Sequence, residues 1–318
     1  GSGTKTYTGL VTVNSGGTFN GAGGGALTFT NGLTIASGGT YNQTGNPNLS
    51  FGGPVTNSAA GVLTAGSGTV VWTASTSLAG TGAITFGGAA TINSGVVLTN
   101  NNSGIVTFSS TITGGSAASE LATSSGSYTK LGGATLTTGI VRPSTSAHTI
   151  KYTYATPTCK IPTANNYYHL IFSGASGAIT CAVTAVGGNV SSTGGNTWTT
   201  SLTTIPGNLA LSSTAQITLG ANLVVTGTTT VGAGTTLSQG ATFNLTTGAV
   251  DVAGTGIWTN TGTGDLTLTG NVTNAGSMTF NSNNGSQCVD GADDITITSS
   301  GTTTWSGGGT FTMYNLVV

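Results

Sequence analysis

The groups that could do chemistry in this chain are few, and their spacing assembles no catalytic site. The 318 residues include five Lys or Arg, six Asp or Glu and two His. General acid–base catalysis needs ionisable groups within hydrogen-bond reach of the reacting atoms. Neither His148 nor His169 belongs to a Ser or Cys constellation with an acid, and no G-x-S-x-G, HExxH or Walker motif occurs. We therefore expect a protein that is not an enzyme and needs no cofactor.

Three cysteines could form covalent cross-links. Cys159 and Cys181 are 22 residues apart, which is one period of the repeat described below. Stacked neighbours in such a repeat lie about 4.8 Å apart, a separation that permits a disulfide. This pairing leaves Cys288 as a free or intermolecular thiol. The alternative is that Cys288 pairs with one of the other two; either disulfide would indicate an oxidising, extracytoplasmic setting.

Acidic residues are concentrated late in the chain, and five of the six follow residue 250. The run from Asp290 to Asp294 offers carboxylate and carbonyl oxygens, which are the ligands that Ca²⁺ prefers. It has neither the EF-hand spacing nor the glycine-rich nonapeptide pattern of calcium-binding β-rolls. We interpret the run as a solvated turn and expect no metal. A Ca²⁺ site at Asp290, Asp293 and Asp294 is the alternative.

Alternating apolar and polar residues indicate the elements that position these groups. Leu27-Thr28-Phe29 and Ile295-Thr296-Ile297 are typical of strands with one buried face. Hydrophobic residues make up 36% of the chain, which argues against the disorder that 55 glycines would otherwise suggest. Strong helix formers are scarce, and no apolar run approaches the roughly 20 residues of a membrane-spanning helix. The sequence therefore predicts an all-β fold with no membrane-spanning segment.

The charge content excludes one class of partner. Only 3% of the residues are charged, whereas ordinary soluble proteins have about a quarter. A formal net charge of −1 provides no basic footprint for nucleic acid or for an anionic membrane surface. We therefore expect no nucleic-acid partner.

Internal repeats of about 21 residues organise both halves of the chain. In the C-terminal half, apolar residues step by 21, 20, 21 and 20 along the series Val190, Leu211, Val231, Val252 and Val272. Two parallel series in that half run through Leu202, Leu223, Phe243 and Leu266, and through Trp198, Leu219, Leu237, Trp258 and Phe280. In the N-terminal half, a comparable series runs through Phe19, Tyr41, Leu63, Thr85 and Thr107.

These repeats predict a parallel β-solenoid (β-helix) with three short strands in each turn of 20–22 residues. One such turn cannot bury its apolar side alone, whereas stacked turns share a continuous core. The Gly, Asn and Ser residues between the strands suit the corners, where glycine adopts left-handed conformations at little cost. The alternative is an array of antiparallel β-sandwiches with short hairpins.

The regularity of the sequence repeat divides the chain into three parts. We predict N-terminal solenoid turns over residues 1–115, an irregular segment over 116–187 and C-terminal solenoid turns over 188–318. The irregular segment holds four of the five basic residues and five of the eight tyrosines. We interpret it as longer loops or a distorted turn on the flank of the solenoid. The alternative is a contact module, since Tyr and Arg are favoured at interface centres.

The most specific internal match joins the middle of the chain to its two ends. Residues 168–172 (YHLIF) resemble residues 314–318 (YNLVV), and the opening residues 1–11 would fit as the continuation of the latter. Joining residue 318 of one copy to residue 1 of another would preserve the solenoid register. The candidate assembly residues are Tyr7, Leu10, Val11, Tyr314, Leu316, Val317 and Val318.

The phrase Y-x-L-x-F/V followed by a glycine–serine turn resembles the β-strand repeats of very large bacterial and archaeal cell-surface proteins. These cell-surface repeats are similar in composition and repeat period to autotransporter passengers and filamentous-haemagglutinin-like adhesins. The resemblance implies a secreted or surface-displayed fibrous protein, with no catalytic residues to carry over.

The functional hypothesis follows from uncapped ends. Exposed solenoid edges recruit further strands unless polar caps cover them, and residues 316–318 are bare apolar strand. We expect an extracellular structural protein that stacks head to tail with copies of itself, with lateral neighbours or cell-surface glycans as further partners. One alternative is a segment of an adhesin stalk. A lesser alternative is an ice-binding β-solenoid, which Thr-x-Thr arrays at 28–30 and 267–269 resemble, although the motif is irregular along the sequence.

Overall fold

The computed structural model describes residues 3–21, 23–43, 45–136, 138–240, 242–260, 262–280, 294–297, 304–313 and 315–317. All regular secondary structure in this part of the chain is short β-strand, and the strands pair in parallel. The chain forms two compact units. Unit 1 comprises Gly1–Tyr154 and Lys160–Tyr168, and unit 2 comprises Ala155–Cys159 and His169–Val318.

Unit 1 has three parallel sheets, and successive turns of the chain add one strand to each. Sheet 1A contains β1 (Lys5–Tyr7), β4 (Leu27–Phe29), β7 (Leu49–Phe51), β10 (Val70–Trp72), β13 (Ala90–Ile92) and β16 (Ile112–Gly114). Sheet 1B contains β2 (Val11–Val13), β5 (Leu33–Ile35), β8 (Val55–Asn57), β11 (Thr76–Gly80), β14 (Val97–Asn100), β17 (Glu120–Thr123) and β19 (Ile140–Arg142). Sheet 1C contains β3 (Thr18–Asn20), β6 (Thr40–Asn42), β9 (Val62–Ala65), β12 (Ile84–Phe86), β15 (Ile105–Phe108), β18 (Tyr128–Leu131) and β20 (Thr149–Tyr152).

Unit 2 repeats this plan. Sheet 2A contains β21 (His169–Phe172), β23 (Val190–Thr193), β26 (Leu209–Ser212), β29 (Thr229–Val231), β32 (Val250–Val252), β35 (Val272–Asn274) and β38 (Trp305–Ser306). Sheet 2B contains β22 (Ser176–Ile179), β24 (Gly195–Thr200), β27 (Gln216–Leu219), β30 (Thr236–Ser238), β33 (Ile257–Asn260), β36 (Ser277–Phe280) and β39 (Thr310–Met313). Sheet 2C contains β25 (Thr204–Ile205), β28 (Leu223–Val225), β31 (Leu245–Thr247), β34 (Leu266–Leu268), β37 (Asp294–Ile297) and β40 (Asn315–Val317).

The predicted parallel β-solenoid is confirmed. Counted over the two units, there are about 13 turns with three strands each. Each strand pairs with the strand three places before or after it in most of the chain, as β4 does with β1 and β7. This pairing excludes the antiparallel sandwich, in which consecutive strands would be neighbours.

The period was predicted correctly, and so was the register of some residues, such as Leu211, Val231 and Val252, but not that of others. Val190 pairs with Leu209, two residues before the predicted Leu211. In sheet 2C the partner of Leu223 is Leu245, whereas Phe243 was predicted. The physical reason is that several strands direct two residues inward, two positions apart, as Leu209 and Leu211 do. A spacing rule cannot distinguish these two inward positions.

The core consists of inward side chains stacked turn upon turn. In unit 1 these include the fully buried Phe29, Phe51 and Trp72, and in unit 2 the fully buried Val231, Val252 and Trp258. Each buried Val, Leu, Ile or Phe stabilises the fold by about 1.5–3 kcal/mol relative to an exposed one. Because the core is supplied by stacking, the chain needs very few ion pairs.

Buried amides and glycines form several of the corners. The Asn57 side chain is fully buried, and its Nδ2 donates to the carbonyl oxygens of Gly61 at 3.0 Å and Ala83 at 2.6 Å. Gly80 has a φ of 107°, and a Cβ there would lie 2.0 Å from the carbonyl oxygen of Asn57. The corner therefore requires both an amide inside and a glycine opposite it.

The predicted irregular segment contains both regular strands and a long connection. Strands β17 to β20 continue sheets 1B and 1C in register. Residues 153–168 form no strand beyond an isolated bridge between Thr158 and Thr180. The three-part division of the chain stays a prediction.

Candidate assembly interface

The first turn of unit 1 presents three strand edges. Strands β1, β2 and β3 are the outermost strands of their sheets, and among the described residues each pairs only with the next turn. The Val11 N–H donates to the Gly32 carbonyl at 3.2 Å, and the Val13 carbonyl accepts from the Ala36 N–H at 2.9 Å. Since backbone groups alternate sides along a strand, the N–H and C=O of the exposed Thr12 point towards the open edge.

A stack of aromatic rings ends at this edge. The rings of Tyr7 and Phe29 stack with centroids 5.4 Å apart, and Phe29 stacks on Phe51 at the same distance. Phe19 stacks on Tyr41 at 5.4 Å and meets Tyr7 edge to face at 5.8 Å. Tyr7 and Phe19 are half-buried, whereas Phe29, Phe51 and Tyr41 are fully buried. The outermost rings thus leave apolar surface uncovered.

Burial affects the chemistry of Tyr41 in this stack. Loss of solvent raises the pKa of its phenol well above the ordinary value, and the nearby Tyr7 adds to the increase. The Tyr41 hydroxyl is buried without a hydrogen-bond partner among the described residues. The ring therefore acts as core packing and remains protonated at physiological pH.

Two further residues predicted for assembly lie on the same turn. Leu10 is 57% exposed, and Val11, the first residue of β2, is half-buried. With Tyr7, they form a partly apolar border along the edges of β1 and β2. Tyr7, Leu10 and Val11 therefore all lie on the first turn of unit 1.

The candidate residues late in the chain are described only in part. Leu316 and Val317 lie in β40, the outermost strand of sheet 2C, where they pair with Ile295 and Thr296. Tyr314 and Val318 lie outside the described residues. Among the described strands, β38, β39 and β40 stand last in the order of sheets 2A, 2B and 2C.

Cys159 and Cys181 form a disulfide in unit 2. Their Cα atoms are 4.8 Å apart and their sulfurs 2.01 Å apart. The Cys159 N–H donates to the Thr180 carbonyl at 2.9 Å, and the Thr180 N–H donates to the Pro157 carbonyl at 2.8 Å. The bond thus joins residues on adjacent backbone segments that also share a ladder. The third cysteine, Cys288, lies outside the described residues.

The acidic run is largely outside the described part of the chain. Asp290 and Asp293 are not described, and Asp294 is the first residue of β37. Among the described residues, no group of three His, Cys, Asp or Glu side chains is placed to hold a metal ion.

Buried tyrosines and a histidine organise the connection before β21. The Tyr152 and Tyr167 hydroxyls share a hydrogen bond of 3.1 Å, and Tyr167 also donates to the Lys160 carbonyl. Burial raises the pKa of Tyr152 to about 12. His148 is also buried; its Nδ1 lies 2.9 Å from the Ser146 carbonyl, and its Nε2 accepts from the Tyr168 N–H. These contacts hold the connection in place.

One ion pair was not predicted. The Arg142 Nε donates to the Glu120 Oε1, and the two residues are 22 positions apart on the paired strands β17 and β19. The carboxylate is almost buried, while the guanidinium is half exposed. The sequence feature that could have revealed this ion pair is the separation of two opposite charges by 22 residues, which is one period of the repeat.

Comparisons with protein-family models, with curated proteins and with solved structures gave no match. The described residues contain no helix with the length and apolar character required to cross a membrane. The fold alone defines the class of this protein, which is an all-β parallel solenoid with three strands in each turn.

Proposed function

We propose that this chain is a non-catalytic structural protein of the cell exterior that assembles head to tail with copies of itself into a filament. The observation that carries the proposal is the first turn of unit 1. There, three strand edges with one paired side each coincide with an aromatic stack whose outer rings, Tyr7 and Phe19, are half-buried. A further turn on these edges would complete the backbone ladders and cover the rings.

The occupant in this proposal is the outermost turn of a second copy. Strands β38, β39 and β40 have the same parallel direction and the same three-sheet arrangement as the turns they follow. A contact between different surfaces of identical copies propagates without closing. Backbone pairing gives such contacts their affinity, and the apolar border at Leu10 and Val11 adds buried area.

The extracellular location is supported by the disulfide between Cys159 and Cys181. Disulfides persist in oxidising compartments and are rare in the cytosol. The low charge is compatible with a protein held by backbone ladders and stacked apolar residues.

The test is imaging and sedimentation of the purified 318-residue chain over a range of concentrations. Filaments are expected for the unmodified chain. Thr12→Pro removes the N–H that faces the open edge, and proline is tolerated on edge strands, so this variant should stay monomeric with an unchanged circular dichroism spectrum. Thr12→Val keeps the N–H and should still assemble. Dispersed monomers of the unmodified chain at high concentration, or equal assembly of both variants, would overturn the proposal.

The second candidate is a segment of a surface adhesin stalk. The same open edges favour it, because they would equally accept a further segment of one long polypeptide. Mass spectrometry of the native protein separates the two candidates: a polypeptide much longer than 318 residues favours the stalk.

A further inference from the structure

Sheet 2B presents hydroxyl side chains in register on successive turns. We call the outward side of β24, β27, β30, β33, β36 and β39 the hydroxyl face. One column is formed by register partners on five of these strands: Thr199, Thr218, Ser238, Thr259 and Thr279. The adjacent column, two residues earlier on each strand, consists of Thr197, Gln216, Thr236, Ile257, Ser277 and Thr310.

The inward column of the same strands fixes the direction of these hydroxyls. Between the two outward columns lie apolar residues that are at most 2% exposed: Trp198, Ile217, Leu237, Trp258 and Met278. Side chains alternate sides along a strand, so the residues flanking this apolar column point away from the core. Thr197, Thr199 and Thr218 are accordingly exposed.

The backbone sets the spacing of the hydroxyl lattice. Register partners on parallel strands are about 4.8 Å apart, and residues two positions apart on one strand are about 6.6 Å apart. Ladder hydrogen bonds hold the strands at this spacing, as from the Thr236 N–H to the Ala215 carbonyl at 3.0 Å. Thr is restricted at χ1 because it is β-branched. The hydroxyls are therefore ordered before any ligand arrives, which lowers the entropic cost of binding.

The face is also electrically neutral. No Lys, Arg, Asp or Glu occurs on the described strands of sheet 2B. Other outward faces differ, since sheet 1C carries Lys130 and Lys151 and sheet 2A carries Asp251. A neutral, ordered array of hydrogen-bond donors and acceptors suits a ligand that is itself a neutral lattice of hydrogen-bond donors and acceptors.

We propose that the hydroxyl face binds ice. Hexagonal ice exposes planes in which water oxygens repeat on a rectangular grid with one edge close to the separation of stacked strands, so hydroxyls in register along the solenoid can take the places of water molecules. Along the sequence, the Thr-x-Thr motif is irregular because successive turns differ in length, with steps of 19, 20, 21 and 20 residues from Thr199 to Thr279. Strand pairing removes this irregularity: it aligns five hydroxyls in one column and four in the adjacent column, which Gln216 and Ile257 interrupt. The inference is independent of filament assembly.

The test measures thermal hysteresis and inhibition of ice recrystallisation by the 318-residue chain. The unmodified chain is expected to show both activities. In Thr259→Tyr/Thr279→Tyr, bulky rings on adjacent turns interrupt the lattice, and both activities should be lost. The matched control is Val224→Tyr/Thr246→Tyr, which alters a register pair on the outward side of sheet 2C, outside the Thr-x-Thr array at 267–269, and should retain both activities.

Melting temperatures show whether each variant folds. If the double variant is unstable, Thr218→Tyr replaces it, because Thr218 is exposed and its ring would enter solvent. The proposal is overturned if the unmodified chain has no effect on ice growth, or if the sheet 2B and sheet 2C variants lose activity equally. It is also overturned if the hydroxyl-face variant changes only self-association, since the face would then bind a second copy.

Discussion

One histidine in unit 2 occupies a place that asparagine fills on other turns. The Asn189 Oδ1 accepts from the Asn208 N–H at 2.9 Å, and the Asn208 Oδ1 accepts from the Thr228 N–H at 2.8 Å. One turn earlier, the His169 Nδ1 accepts from the Asn189 N–H at 3.0 Å. The imidazole can accept this bond only in its neutral form. Burial lowers the pKa of His169, which favours the same neutral form.

We therefore predict a pH-dependent stability that His169→Asn removes. The folded-state pKa lies below that of an unfolded histidine, about 6.5. The stabilising contribution is complete above about pH 6.5 and is lost as the pH falls through this value towards the folded pKa. Asn keeps the acceptor and does not titrate. Urea midpoints measured from about pH 7.5 to about pH 5 should fall less for the variant; an unchanged fall would show that His169 is not responsible.

A second prediction at this scale concerns the corner glycine Gly80. Ala there would have to keep a φ of 107°, with its Cβ 2.0 Å from the Asn57 carbonyl oxygen. We expect Gly80→Ala to destabilise unit 1 by about 1–3 kcal/mol or more. Gly254 is the matched control, because its Cβ would meet nothing within 4 Å. Gly254→Ala should be neutral or stabilise by less than about 1 kcal/mol in a urea titration. Similar losses in both variants would contradict this account.

At the scale of elements, the sequence predicted strands and their period, whereas it predicted only some of the exact partners, such as Leu211 with Val231. Alternation identifies a strand such as Leu27–Phe29, and the period follows because a solenoid turn must return to the same face. Turn lengths vary and inward positions come in pairs, so Val190 could be aligned with Leu209 or Leu211 from spacing alone. For the same reason, the spacing along the sequence did not show that hydroxyl side chains of the hydroxyl face are in register.

The burial of asparagine side chains at the corners was a second feature that the sequence did not predict. Asn57, Asn100 and Asn102 are fully buried, although asparagine is usually a surface residue. The Asn102 Nδ2 donates to the Gly82 carbonyl at 2.8 Å, and the Asn102 Oδ1 accepts from the Gly104 N–H at 2.8 Å. Such residues are buried because a tight corner leaves backbone groups that only an internal amide can satisfy. Polarity alone gives no sign of this.

The disulfide leads to a prediction for adjacent turns of unit 2. Its two cysteines are separated by 22 residues, and closing a loop of this length stabilises a fold by about 3 kcal/mol. Cys159→Ser/Cys181→Ser should lower the free energy of unfolding of unit 2 by about this amount, as measured in urea. Cys288→Ser is the control and should change nothing. A larger loss in the control would indicate that Cys288 forms the stabilising bond.

On the scale of the whole chain, the fold class could be predicted because every turn repeats the same demand for burial. The proposed interaction surfaces could not, since they depend on which residues share an outward column. Lys130 and Lys151 are register partners in sheet 1C, and like charges placed opposite each other are destabilising. Asp251 is exposed on sheet 2A. These charges suit a side-by-side contact between copies.

The proposed filaments should bundle laterally in a salt-dependent way. Raising the ionic strength from about 0.01 M to about 1 M shortens the screening length roughly tenfold, which should separate bundles while leaving single fibres intact. Backbone pairing between turns is not screened in this way. Asp251→Asn should reduce bundling at low salt without shortening the fibres, as judged by electron microscopy and light scattering. Bundles that resist both changes would exclude charge as the lateral contact.

The strand-for-strand register also means that one whole turn of the solenoid can be added or deleted as a unit. Leu209 pairs with Val190 on one side and with Thr229 on the other. Loss of residues 209–228 would bring β29 beside β23 with every inward position still facing inward. Since repeat proteins gain or lose stability in steps of one unit and its interface, recombination between similar stretches of the gene can add or delete a whole turn and leave a foldable product. Loss of half a turn would misalign every strand that follows, so such genes are expected to change in length by whole turns.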